Sequence, residues 1–194
     1  MQVAGAALIA AGLVVGLAAL VLLHVVPTGL SPLRNAVSQY GISEHPVGYR
    51  VQTLAYAMAG TGAAIGVATL PGPVGVVVAL CATFAVSRAL ISWFPMDAPG
   101  ATRTPTGNRH GVLAVAAFLA ASLASRELAS LLNRDGIHPG MAAASELLAL
   151  LMALSLIGMA LARRTHYFGG VERVFYACMT AWLATVAVVV CLPS

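Results

Sequence analysis

The sequence contains no lysine, and charged residues of every kind make up only 8% of its 194 positions. A soluble protein of this size needs far more polar surface, which argues against a water-exposed globular domain. All ten basic residues are arginine; against six acidic residues they give a net charge of +4. No block of them resembles a nucleic-acid-binding arm, so no nucleic-acid partner is expected. Cysteine is scarce: Cys81, Cys178 and Cys191 each lie inside an apolar run. Their odd number and lack of CxxC spacing indicate neither a disulfide frame nor a thiolate metal site, and they read as buried small apolar residues. The metalloprotease string HExxH, a same-helix HxxxH pair and the GxSxG nucleophile elbow are all missing. So is the basic n-region of a signal peptide, and the first apolar run is therefore expected to be a retained transmembrane helix.

What remains is overwhelmingly apolar. Hydrophobic residues make up 60% of the chain, and the mean hydropathy is +0.92. They fall in runs of about 20, the length that crosses a hydrocarbon core of roughly 30 Å. The expected fold is a single-domain, all-α polytopic membrane protein, a bundle of six transmembrane helices over about 3–26, 51–70, 74–94, 111–132, 141–162 and 174–192. The three longer polar loops then share one face and carry Arg34, Arg50, Arg103, Arg109, Arg163, Arg164 and Arg173, whereas the opposite turns carry only Arg134. The positive-inside bias places those loops in the cytoplasm and both termini outside the cell membrane. Gly5, Gly12 and Ala19 recur every seven residues, and Gly12/Gly16 and Gly62/Gly66 are small-residue pairs, the pattern of close helix packing in lipid. Tyr40, Tyr49, Trp93, Tyr167 and Phe168 fall near helix boundaries and read as an aromatic belt.

Ionisable residues in such a chain need a reason. The stretch ISWFPMDAPGATRTPTGNRH, positions 91–110, holds Asp97, Arg103, Arg109 and His110 between two apolar runs. His24 ends the first run, and with His110, Asp97, His166 and Ser38 it falls on the loop face. Three chemistries fit this group: a zinc site, a haem with His24 and His110 as axial ligands, or metal-free acid–base work. Ser38 is a candidate nucleophile, although a capping or turn role suits it better. Arg88, two turns inside the third run, either snorkels to the interface or points inward toward Asp97 or Glu172 to hold an anion. Arg126 and Glu146 lie about seven residues on either side of the fourth turn, at similar depth. They are expected to form a structural ion pair, with Glu127 competing.

The string from His24 through Pro27, Gly29, Ser31-Pro32-Leu33-Arg34-Asn35-Ala36-Val37-Ser38-Gln39-Tyr40-Gly41 resembles the first loop of a bacterial and archaeal membrane family, domain of unknown function 998. Phe94-Pro95-Met96-Asp97-Ala98-Pro99-Gly100, followed by His110, resembles that family's second signature. The resemblance covers nearly the whole chain and implies the six-helix layout but no reaction. Met96 stands where a small polar residue is expected, which puts a hydroxyl role there in doubt. The leading expectation is an enzyme acting at the interface on a lipid or isoprenoid substrate. In it, Asp97, His110 and His24 are the catalytic candidates, while Arg88, Arg34 and Ser38 bind an anionic head group. The alternatives are a non-enzymatic carrier or scaffold, working as a homo-oligomer or with a partner membrane protein, and a haem-binding electron-transfer protein.

Overall fold

The computed structural model describes residues 1–134, 136, 138–162 and 165–192. Among the described residues six α-helices follow one another: α1 (Gln2–Val25), α2 (Pro46–Val67), α3 (Gly75–Ile91), α4 (Pro105–Arg134), α5 (Pro139–Ala162) and α6 (Phe168–Cys191). A 3₁₀ helix, Val37–Ile42, lies in the first loop, and no strand occurs among the described residues. Four helices, α1, α4, α5 and α6, are long and apolar enough to cross a membrane, and α3 is a shorter apolar helix. The all-helical arrangement is consistent with a membrane bundle.

The helix starts differ most from the sequence reading. α2 begins at Pro46 instead of 51, α4 at Pro105 instead of 111, and α6 at Phe168 instead of 174. Proline is favoured in the first turn, where its missing N–H costs nothing. The polar residues that follow interrupt the apolar run without breaking the helix. α1 ends where expected: Val26, before Pro27, is extended at φ −67°, ψ 146°, the region a residue before proline prefers.

Each helix packs against its neighbours in sequence, and α6 returns to α1, so the six close into a ring. α6 also reaches α2 and α4 across the interior, and its Trp182 is wholly buried. The closest seam joins α1 and α2. A Cβ on Gly12 would lie 2.5 Å from the Ala55 carbonyl oxygen, and one on Gly62 would lie 2.6 Å from that of Gly5.

Two sequence expectations are corrected. Tyr40 and Tyr49, read as part of an aromatic belt, are 0% and 5% exposed because the 3₁₀ helix and the start of α2 fold inward over the bundle. Trp93 and Tyr167 are exposed, as a belt requires. Cys81 and Cys178 are buried, but Cys191 is exposed at the end of α6. Arg163 and Arg164, part of the loop charge count, lie outside the described residues.

Candidate functional site

The polar side chains that the bundle buries converge below the first and second loops. Arg88, one turn from the end of α3, is 1% exposed. One of its terminal nitrogens donates to Gln52 Oε1 at 3.0 Å. Its guanidinium lies 5.8 Å from the Tyr56 ring centre and 5.5 Å from that of Tyr176. Tyr49 and Glu172 lie within electrostatic reach of the same group. Tyr49, Gln52 and Tyr56 are spaced i, i+3, i+7, so one stripe of α2 faces the arginine. Taking a guanidinium out of water costs several kcal/mol. Each ring contact returns up to about 2 kcal/mol and the charged hydrogen bond about 1.5–3 kcal/mol. Two donors, Arg88 Nε and Gln52 Nε2, are buried without a close acceptor, and the Tyr176 hydroxyl is the polar group set near both side chains.

Glu172 does not neutralise Arg88 by direct pairing. Its Oε2 accepts the Val37 backbone N–H at 2.7 Å, tying α6 to the start of the 3₁₀ helix. The adjacent Arg173 clamps the first loop: Nε donates to His24 Nε2 at 2.8 Å, and a terminal nitrogen donates to the Asn35 and Gly169 carbonyls at 2.8 and 2.9 Å. His24 Nδ1 donates to Leu20 O at 2.5 Å. Since a carbonyl only accepts, Nδ1 carries the proton and the Nε2 lone pair is committed to Arg173. Ser38 donates to the Met96 thioether at 3.1 Å, so the odd residue of the second signature joins the two loops.

Asp97 and His110 anchor the second loop. Asp97 accepts from the Thr104 N–H at 3.0 Å and from its hydroxyl at 2.7 Å. The Thr104 hydroxyl oxygen in turn accepts the Gly107 N–H at 3.0 Å, which makes Thr104 the N-cap of α4 with Pro105 at N1. Gly107 has no side chain where the Asp97 carboxylate lies. The two Thr104 bonds, side chain first and backbone second, hold the Asp97 pKa below its ordinary value against a smaller opposing effect of partial burial. His110, buried in the first turns of α4, donates from Nδ1 to the Phe94 carbonyl at 2.7 Å. Its Nε2 lone pair is thereby left as the acceptor. The ring lies within electrostatic reach of both Arg88 and Asp97. Arg50 and Arg109 cap this side, each 5.7 Å from an aromatic ring centre, Trp93 and Phe94 respectively.

The remaining candidates are not brought together. Arg34 is exposed in a turn docked on α6. His24 and His110 stand on α1 and α4, which are not packed side by side. No group of three or more His, Cys, Asp or Glu side chains is placed to hold a metal ion among the described residues. Arg126 and Glu146 are both exposed, and among the described residues no ion pair joins them. The polar link between their helices is Ser125 Oγ donating to the Ser145 carbonyl at 2.8 Å. Gln52, Tyr56 and Tyr176 were not singled out from the sequence. Their available signal was the i, i+4 spacing of Gln52 with Tyr56 and of Glu172 with Tyr176, inside otherwise apolar helices.

Fold and site together define a class: an all-helical bundle of membrane type with an arginine enclosed in its interior beneath two ordered loops. The chain belongs to the family described as protein of unknown function (DUF998), whose model matches residues 6–189. No curated protein and no solved structure matches it.

Proposed function

We propose that the chain is a six-span protein of the cell membrane that receives the anionic head group of a lipid or isoprenoid at Arg88. Its arginine-rich loops face the cytoplasm. The observation that carries this reading is a fully buried arginine with no ion-pair partner among the described residues, whose Nε, like Gln52 Nε2, has no close acceptor and only the Tyr176 hydroxyl nearby. An unmet buried donor costs about 1–3 kcal/mol, and a phosphate or carboxylate oxygen would satisfy both. Tyr49 is packed against Gly41 of the 3₁₀ helix and lies within electrostatic reach of Arg88, so admission of a head group requires it to swing aside. Asp97, Ser38 and His24, each already engaged, serve to order the two loops.

The test is thermal unfolding of the purified protein in neutral detergent, with phosphatidylglycerol or phosphatidylcholine added. At a hundredfold excess over Kd, a ligand of the folded state stabilises by about 2.7 kcal/mol, which for this chain length raises Tm by roughly 5–10 °C. The rise should be selective for the anionic lipid, absent in Arg88→Gln and partly kept in Arg88→Lys. Equal shifts with both lipids, or a selective shift that survives Arg88→Gln, would overturn the assignment.

A second reading, in which the protein acts chemically on the bound lipid, rests on His110. The Phe94 carbonyl fixes its tautomer with the lone pair on Nε2, as a general base requires.

A further inference from the structure

Arg126 and Glu146 are both exposed on the outer surface of the bundle. Eight residues separate Arg126 from the end of α4 at Arg134 and seven separate Glu146 from the start of α5 at Pro139, so each lies about 10–12 Å from the same end of the bundle. In a membrane that depth is within the hydrocarbon, where charged side chains that face lipid are costly and ordinarily pair. The Ser125–Ser145 hydrogen bond gauges their relative height, since each charged residue directly follows one member of that bonded pair.

The same hydrogen bond fixes which way they face. Ser125 and Ser145 point at one another across α4 and α5, and each following residue is turned by about 100°. Because the two helices run antiparallel, these turns have opposite sense when viewed from one end. Arg126 and Glu146 therefore emerge on the same side of the pair, level with one another. Around them the face is apolar: Leu119 and Leu123 on α4, and Leu150, Leu154 and Ile157 on α5, are all exposed.

We infer that two copies of the chain associate through this α4–α5 face, with Arg126 of each copy paired to Glu146 of the other. A two-fold axis along the membrane normal preserves depth, so an isologous interface can pair only residues at equal height. Arg126 and Glu146 meet that condition, and the two-fold makes the pair twice. The chemistry selects a second copy because the patch carries one charge of each sign and is its own complement. An anionic lipid would satisfy Arg126 and leave Glu146 unpaired.

The experiment uses two differently tagged full-length chains, Arg126→Glu and Glu146→Arg, expressed separately and together. Alone, each variant faces its own copy with like charges, and self-association should fall at least tenfold from the wild type. Together, the two carboxylates of the first variant meet the two guanidiniums of the second, so co-purification through the two tags should return to wild-type yield. A bridge within one chain cannot produce that rescue. Wild-type self-association in either variant alone, or failure of the mixture to recover, overturns the inference. Photobleaching of single fluorophore-labelled wild-type molecules in liposomes needs no variant. Two bleaching steps are expected, and a single step overturns the proposal.

Discussion

Arg88 and Asp97 carry opposite charges only nine positions apart, yet neither is neutralised by an ion pair. Arg88 is held by an amide oxygen and two aromatic rings, Asp97 by both polar hydrogens of Thr104. Asp97 belongs to the architecture of the second loop, and its titration should be visible as stability. Its pKa is lowered by folding, so its contribution is present in full above the ordinary carboxylate range and is lost as pH falls through the lowered value. The Tm gap between wild type and Asp97→Asn should accordingly be constant near neutrality and close on acidification below that range. A gap that persists in strong acid would show that Asp97 acts through packing instead of charge. Thr104→Ala removes the cap, at about 1 kcal/mol, together with the hydroxyl that lowers the Asp97 pKa, so its cost should shrink on acidification toward the capping contribution alone. From the sequence, Asp97, His110 and Arg88 stood out because charge is rare in this chain. Their partners did not, because a backbone carbonyl such as Phe94 O, a threonine, or a tyrosine near a helix end carries no such signal.

At the scale of elements, apolar length identified the helices and left their starts undefined. The first turns of α2 and α4 open with proline and that of α6 holds two glycines, with polar residues in or just after each. The α4 start is capped by Thr104, those of α2 and α6 have no side-chain cap, and hydropathy reports neither condition. The α1–α2 seam was legible, since a seven-residue spacing of small residues has few uses other than close approach. Gly12 meets the Ala55 backbone and Gly62 meets that of Gly5, neither of which can retreat like a flexible side chain. Gly12→Leu should therefore destabilise by about 1–3 kcal/mol or more, read as a lower Tm in detergent. Gly140→Ala, where a Cβ meets nothing within 4 Å, is the matched control and should leave Tm unchanged or slightly raised. Equal losses at both positions would remove the seam from the account.

For the whole molecule, the ring order of the helices brings the ends of α1 and α3 and the starts of α2, α4 and α6 to one end. This is why residues as distant in sequence as His24 and Arg173, or Val37 and Glu172, are bonded there. The side of the chain that carries its arginines was readable from their positions. The buried polar cluster around Arg88 was not, since it depends on α6 crossing the ring to reach α2. The same end holds Arg34, Arg50, Arg103, Arg109 and Arg173, whereas the described part of the opposite end holds Arg134 alone. A charge difference of that size orients membrane proteins with the rich side in the cytoplasm, and the proposed six-span topology then puts the α2–α3 turn outside. Both Arg103 and Pro73 are exposed, so each can be replaced by a single cysteine in a background with Cys81, Cys178 and Cys191 changed to alanine. Pro73→Cys should react with a membrane-impermeant maleimide in intact cells, and Arg103→Cys only after lysis. The reverse pattern would invert the orientation and place the Arg88 cluster on the side of the outer leaflet. Labelling of both sites in intact cells would remove the membrane-spanning topology itself.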